Sequence, residues 1–291
     1  MIETMRIFKF FLTISILISI ASIPVSAFEV QGLKTPESFI ADPSTGNYFI
    51  SNINGGGPGG KDDDGFIAKL DKDGKVIALT FIDGKNNDIT LNAPKGLDII
   101  GNILYVSDID FVRGFDKETG KLLHDLDFKA FNPSSLNDLT HDSQDNLYIS
   151  DWIGNIIFKI DTKNNHKISI IAKGNALGGP NGLNIHPKTK KLINVTWEAG
   201  KVQEIDSSGN VKVLVEDKRF KNLDGIDFDN NGSMFISSFT GGEIYKITPD
   251  LKVEVFLKGL TSPADINIDR KKNLLLIPSF EGNSAKTVTI Q

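Results

Sequence analysis

From Phe28 onward, apolar residues come in short bursts, alternating with polar ones or continuous, and Gly, Pro, Asn, Asp and Ser fill the gaps. That pattern predicts short strands joined by tight turns. One stretch shows the unit. Gly179-Pro180-Asn181 makes a turn and Gly182-Leu183-Asn184-Ile185 a strand. A hairpin leads to a second strand, Lys191 to Trp197; Lys201 to Asp206 and Val211 to Val215 supply a third and fourth. Four antiparallel strands cannot bury both faces alone, so the unit needs neighbours of its own kind.

The second strand recurs as Phe49-Ile50-Ser51-Asn52, Tyr105-Val106-Ser107-Asp108, Tyr148-Ile149-Ser150-Asp151, Ile193-Asn194-Val195-Thr196, Phe235-Ile236-Ser237-Ser238 and Leu276-Ile277-Pro278-Ser279. These segments end at residues 52, 108, 151, 196, 238 and 279, spaced by 56, 43, 45, 42 and 41. A four-stranded unit repeating every ~40–45 residues is the signature of propeller blades. Six units predict an all-β, six-bladed β-propeller with four antiparallel strands per blade.

The first 27 residues differ in kind. Arg6 and Lys9 precede an apolar run from Phe10 to Ile20, and Val25-Ser26-Ala27 supplies small residues before Phe28. This reads as a signal peptide at 1–27 and predicts export to the periplasm or medium. An uncleaved anchor is the rival reading, although the run is short for a bilayer span of about 20 residues. The propeller then occupies 28–291, which is 264 residues or 44 per blade. The sixth unit ends one strand short, and Phe28-Glu29-Val30 is the expected closing strand. Closure in this way removes open sheet edges.

Composition narrows the partners. A net charge of −5 gives no basic patch for nucleic acid or an anionic membrane surface. The chain has no cysteine, so thiolate and disulfide chemistry are excluded. A monomer acting on a small molecule is expected.

Aligning the six units where the chain reaches its innermost strand gives Glu37, Lys95, Asn137, Asn181, Asp224 and Ala264. In a propeller these six positions converge on the axis. Two carboxylates and two amides form a hard oxygen set without His or Cys, which suits calcium, or another divalent cation, rather than zinc or copper. Asn and Asp also form turns, a role that does not account for Glu37.

These segments resemble the regucalcin and gluconolactonase family, six-bladed calcium-dependent lactonases related to paraoxonases. The resemblance runs through Thr35-Pro36-Glu37-Ser38-Phe39-Ile40-Ala41-Asp42, Asn137-Asp138, Pro180-Asn181-Gly182-Leu183 and Leu223-Asp224-Gly225-Ile226-Asp227, in order and at blade spacing. It implies Glu37, Asn181 and Asp224 as calcium ligands with Asn137 alongside. It also implies a hydrolase of small lactones or related cyclic esters. Two departures stand out. The family's sugar-gripping Arg, two residues before Asn137, is Ser135 here, which argues against aldonolactones. Lys95 puts a positive charge in the ring; at roughly 8 Å and an effective dielectric near 20 it opposes a divalent ion by about 4 kcal/mol. Lys95 either carries its ammonium toward solvent, replaces the metal by pairing with Glu37 and Asp224, or joins Asp224 in proton transfer.

Trp152, Trp197 and Phe239 each follow a second strand and are candidates for an apolar substrate wall, with Asp108 and Asp151 as polar contacts. Gly55-Gly56-Gly57-Pro58-Gly59-Gly60-Lys61 lacks the Ser or Thr of a phosphate-binding loop and reads as a cover over the mouth or a plain insertion. Asp227-Phe228-Asp229-Asn230-Asn231-Gly232 lacks the closing Glu of an EF-hand and reads as a hairpin turn. The four histidines have no ligand spacing, and no Gly-x-Ser-x-Gly elbow exists. A non-catalytic propeller binding a ligand or protein on its loop face is the alternative, because fold does not dictate function.

Overall fold

The computed structural model describes residues 26–84 and 89–290. Among them lie six four-stranded antiparallel sheets arranged as the predicted propeller. Five sheets follow chain order from the inner strand outward. The sixth consists of Asn267–Asp269, Leu274–Ser279 and Ser284–Thr289, with Ser26–Val30 added at its outer edge. Glu29 lies opposite Lys286, and Val30 opposite Ala285. The predicted closing strand is therefore present and starts at Ser26. Residues 1–25 of the leader segment lie outside the described residues.

Phe28 ties this strand to the next blade as well. Its ring centroid lies 5.3 Å from that of Tyr48 and 6.3 Å from that of Phe39, both in blade one. Elsewhere the blades meet through apolar faces. Phe49 and Ile67 of blade one, for example, pack in one cluster with Leu97, Leu104, Val106 and Phe115 of blade two. Each such side chain contributes roughly 1.5–3 kcal/mol on full burial. The inner strands are almost wholly buried, whereas outer strands such as Val211–Glu216 are half exposed, because only their inner-facing side meets the next blade.

The inner strands share one irregularity. In blade one, Pro36 pairs with Asn52 and Phe39 with Ile50, so Glu37 and Ser38 together face Ser51. The same two-for-one β-bulge sets Lys95 and Gly96 against Ser107, and Asn137 and Asp138 against Ser150. It also sets Asn181 and Gly182 against Val195, and Asp224 and Gly225 against Ser237. A bulge breaks the ladder and re-aims its side chains, here toward the axis.

The broken ladder leaves backbone groups to satisfy, and the facing serine does so. Ser51 Oγ accepts from Ser38 N (2.9 Å) and donates to the Lys95 carbonyl of the next blade (2.5 Å). Ser237 Oγ accepts from Gly225 N (2.8 Å) and donates to Ala264 O (2.7 Å). Ser150 accepts from Asp138 N, and Ser107 donates to Asn137 O. Ser51, Ser107 and Ser237 thus link one blade's ring position to the next, while Ser150 bonds within its own blade and Val195 stands at the equivalent place in blade four. Small residues permit the close approach: a Cβ on Gly182 would lie 2.2 Å from Asp224 O, and one on Gly225 2.2 Å from Ile266 N.

Blade six departs from the pattern. Its regular inner strand covers only Asn267–Asp269, with Pro263 in an isolated bridge to Ser279. Pro278 occupies the serine position and has no hydroxyl to offer. Asp265 N instead donates to Glu37 O of blade one (2.9 Å), and Ser38 and Asp265 form a parallel bridge. The segment from Asp227 to Gly232 is the hairpin turn expected: Asp229 Oδ1 accepts from Asn231 N and Ser233 N.

Two stability predictions follow from these contacts. Ser237→Ala strands a buried N–H and a buried carbonyl at about 1–3 kcal/mol, so calorimetry should show Tm falling by several degrees. Near the opposite end of the ring, His141 Nδ1 meets Asp98 Oδ2 at 2.7 Å, and that carboxylate raises His141 from 6.5 to about 9. A raised histidine stabilises fully below its unfolded value and loses this as pH climbs through about 9. Asp98→Asn should therefore lower Tm at pH 6, with the penalty shrinking by pH 10. A penalty independent of pH would contradict the charge pairing.

Candidate functional site

The bulges bring Glu37, Lys95, Asn137, Asn181 and Asp224 to one cavity of about 250 Å3 at the mouth where the inner strands begin. All five are 5% exposed or less. Ala264 completes the ring as a buried residue.

The oxygens of this ring are poorly satisfied. Glu37 Oε2, Asn137 Oδ1 and Asp224 Oδ1 are buried without a hydrogen-bond partner. Asn137 Nδ2 donates to Asn181 Oδ1 at 3.1 Å, which orients both amides and leaves a lone pair on Asn181 Oδ1. Buried unpartnered oxygens are costly. Three such oxygens around one cavity match in chemistry what a hard cation takes, so the residues present fit the calcium that the family resemblance implied. No group of three His, Cys, Asp or Glu able to hold a metal occurs among the described residues; the set here has two carboxylates and two amides.

The electrostatics point the same way. Burial, reinforced by Asp224 and Asp265, pushes Glu37 well above the ordinary carboxylate range, and Lys95 pulls it back only in part. Burial and Asp265 do the same to Asp224. Deeper along the inner strands, burial carries Asp265 to about 7, and burial with Asp265 raises Asp138. Ser38 Oγ donates to Asp265, and Leu183 N to Asp138.

Lys95 is 1% exposed, so its ammonium does not reach solvent. It donates to Ala93 O at 3.1 Å and makes no ion pair within 4 Å among the described residues. Two expectations for Lys95 are thereby corrected: it neither escapes to solvent nor pairs with Glu37 and Asp224. Folding back onto the loop carbonyl of Ala93, two residues earlier, holds the ammonium short of both carboxylates. Burial brings it down to about 8, against the pull of Asp108, Glu37 and Asp151.

Trp152, Trp197 and Phe239 line the cavity as expected, and Phe280 extends them. Successive ring centroids are 5.8, 5.2 and 5.4 Å apart at 57–70°. Ile53 and Pro58 face the cavity too, with Glu281. Sequence reasoning missed Phe280 and Ile53, although both directly follow a second strand, like the three aromatics it found. Pro58 brings the glycine-rich loop over the mouth. Lys61 pairs with Asp110 (2.9 Å), and Gly56 N donates to Asp62 (2.6 Å).

Asp108 and Asp151 lie outside the cavity and are fully buried. Asp108 accepts from Asn92 N and Ala93 N and pairs with Arg113 at 2.7 Å. Asp151 accepts from Ser134 N, Ser135 N and Gly154 N. Both clamp the loop before an inner strand, which leaves no room for the substrate contact expected of them. Ser135 is likewise buried and does not line the cavity.

A wider cavity, about 440 Å3, opens at the opposite end of the inner strands beside Asp98, His141 and Asp227. Its acids are already occupied. Asp227 accepts from Asn184, Phe228 N and Ile268 N and pairs with Arg270. Unpartnered buried oxygens converge on the other mouth.

No family model matches the chain, and no curated protein matches it. Solved structures do share the fold. A catalytically inactive virginiamycin B lyase from Staphylococcus aureus, determined with quinupristin, is 14% identical, with 92% of this chain and 98% of that one covered and a TM-score of 0.62. A protein of unknown function from Bacteroides thetaiotaomicron is 15% identical, with 92% and 72% covered and a TM-score of 0.70. A candidate gluconolactonase is 12% identical, with 93% and 92% covered and a TM-score of 0.67. At such identities the likeness concerns the fold alone.

Lys95→Met keeps the side-chain length and removes the charge. Divalent-cation affinity measured by calorimetry should tighten about tenfold or more, a fraction of the ~4 kcal/mol repulsion. Unchanged or weaker affinity would show that the ammonium does not face the ion.

Proposed function

We propose that the protein is an exported hydrolase of small lactones or related cyclic esters that uses a divalent cation, calcium fitting best, at the mouth of the propeller axis. The observation that carries this reading is the convergence of unpartnered oxygens of Glu37, Asn137 and Asp224 on one cavity. With Asn181 they would hold the ion, which when bound polarises an ester carbonyl.

The chain's own groups account for the rest of the chemistry. Water adds to the carbonyl carbon and the ring C–O bond breaks. Asp224, buried with Oδ1 unpartnered, takes a proton from the water and returns one to the leaving oxygen, so the product is a hydroxy acid. Lys95, fixed by Ala93 O, directs positive potential at the oxygen where negative charge develops. The apolar rim limits bulk water around the carboxylates. The propeller is read as a monomer.

A lactone panel assayed with calcium and with EDTA is the direct test. Hydrolysis should require the cation and fall ~10²-fold or more in Asp224→Ala. Ligand binding without any turnover would favour the non-catalytic alternative. Export is tested separately: intact-mass measurement should find a mature chain starting near Phe28, and an intact Met1 would favour an anchor.

A further inference from the structure

The pocket wall carries information about the substrate that the axial oxygens do not. Above the ring, Trp152, Trp197, Phe239 and Phe280 form an arc contributed by blades three to six. Each ring meets the next at a steep angle, so the arc presents both faces and edges to the cavity. Ile53, in the apolar cluster that Phe280 packs against, and Pro58 continue the apolar lining. None of the four rings is covered by a Lys or Arg among the described residues, although such cation–π contacts occur at Phe49, Phe81, Phe111, Tyr148, Tyr245, Phe235 and Tyr48.

A sugar lactone meets this wall badly. Each ring hydroxyl loses water on entry and needs a replacement partner. Above the axial groups the lining offers the indole N–H groups and Glu281, whose carboxylate already accepts from Ser262 Oγ at 2.7 Å. A flat aromatic group meets it well, because edge-to-face and offset contacts add to simple burial. The cavity of about 250 Å3 has room for one small ring system beside the reacting carbonyl.

Building on the hydrolase reading, we infer that the substrate is a small cyclic ester bearing an aryl substituent, which lies against the Trp152–Phe280 arc, and that polyhydroxylated lactones are excluded. Trp197 is the central specificity residue, since it touches both Trp152 and Phe239.

The test compares γ-phenyl-γ-butyrolactone, unsubstituted γ-butyrolactone and glucono-δ-lactone on the full-length wild type. The phenyl lactone should exceed the unsubstituted one in kcat/KM by about 30-fold or more, as burial of a phenyl ring requires, with glucono-δ-lactone lowest. Trp197→Ala should cut the ratio of the two kcat/KM values, phenyl over unsubstituted lactone, about tenfold, whatever it does to γ-butyrolactone alone. Trp197→Leu, which keeps the wall apolar, controls for folding and should lose less. Binding is read independently with 5-phenyl-2-pyrrolidinone, an unreactive lactam. The chain's two tryptophans both lie in the arc, so tryptophan fluorescence, excited apart from the four tyrosines, reports this wall alone. Lactam binding that Trp197→Ala weakens, with no lactone hydrolysed, would sink the hydrolase reading and leave the aryl site standing. Glucono-δ-lactone turned over as well as the phenyl lactone, or lactam binding indifferent to Trp197, would overturn the inference itself.

Discussion

In five of the six blades, two residues of the inner strand face a single residue of the second strand. The rest of the site depends on that mismatch. It turns the first bulged residue toward the axis and strips a backbone N–H and a neighbouring blade's carbonyl of ladder partners. A serine hydroxyl, donor and acceptor at once, is the smallest group that serves both. Where Ser51, Ser107 and Ser237 supply it, the hydroxyl that faces the bulge also ties adjacent blades together, so the fold holds the backbone of the ring, and the Asn137–Asn181 bond orients two of its side chains. This explains how Glu37, Asn137 and Asp224 can remain buried with unpartnered oxygens. Relaxing them would mean breaking the serine links.

The energetic consequence is an axis loaded with negative charge. Burial raises Glu37, Asp138, Asp224 and Asp265; Asp265 pushes the first three up further and is itself pushed up by Asp227 and Asp98, and Lys95 is the single ammonium among the ring residues. Such an arrangement stores unfavourable energy at neutral pH unless a cation enters or protons stay on. Strongly shifted acids clustered in a cleft are characteristic of functional sites. The bottom cavity shows the contrast: its carboxylates are spent on backbone N–H groups, an arginine and a histidine.

Much of this was legible in the chain. The repeat of the second strand revealed six blades, and alignment of the units placed all five polar ring residues correctly. The closing strand was readable because the sixth unit ended short. What the sequence reading misjudged were residues whose role is set by neighbours in other blades. Asp108 and Asp151 look like channel acids, yet each caps the loop ahead of an inner strand. Lys95 looks able to reach solvent, but its neighbours bury it entirely. The serine in the repeated Ile-Ser-Asn or Val-Ser-Asp pattern marks the repeat, but only the register shows that it faces a bulge. Phe280 directly follows the sixth second strand and was readable by the rule that found Trp152, Trp197 and Phe239.

The central claim is that the serine-bridged ring is a cation site. Calcium titrated into the metal-stripped full-length protein, followed by calorimetry, tests it most directly. One site per chain is predicted, abolished in Glu37→Gln, which keeps shape and removes one ligand charge. No binding by the wild type, or binding that survives Glu37→Gln unchanged, would contradict the account.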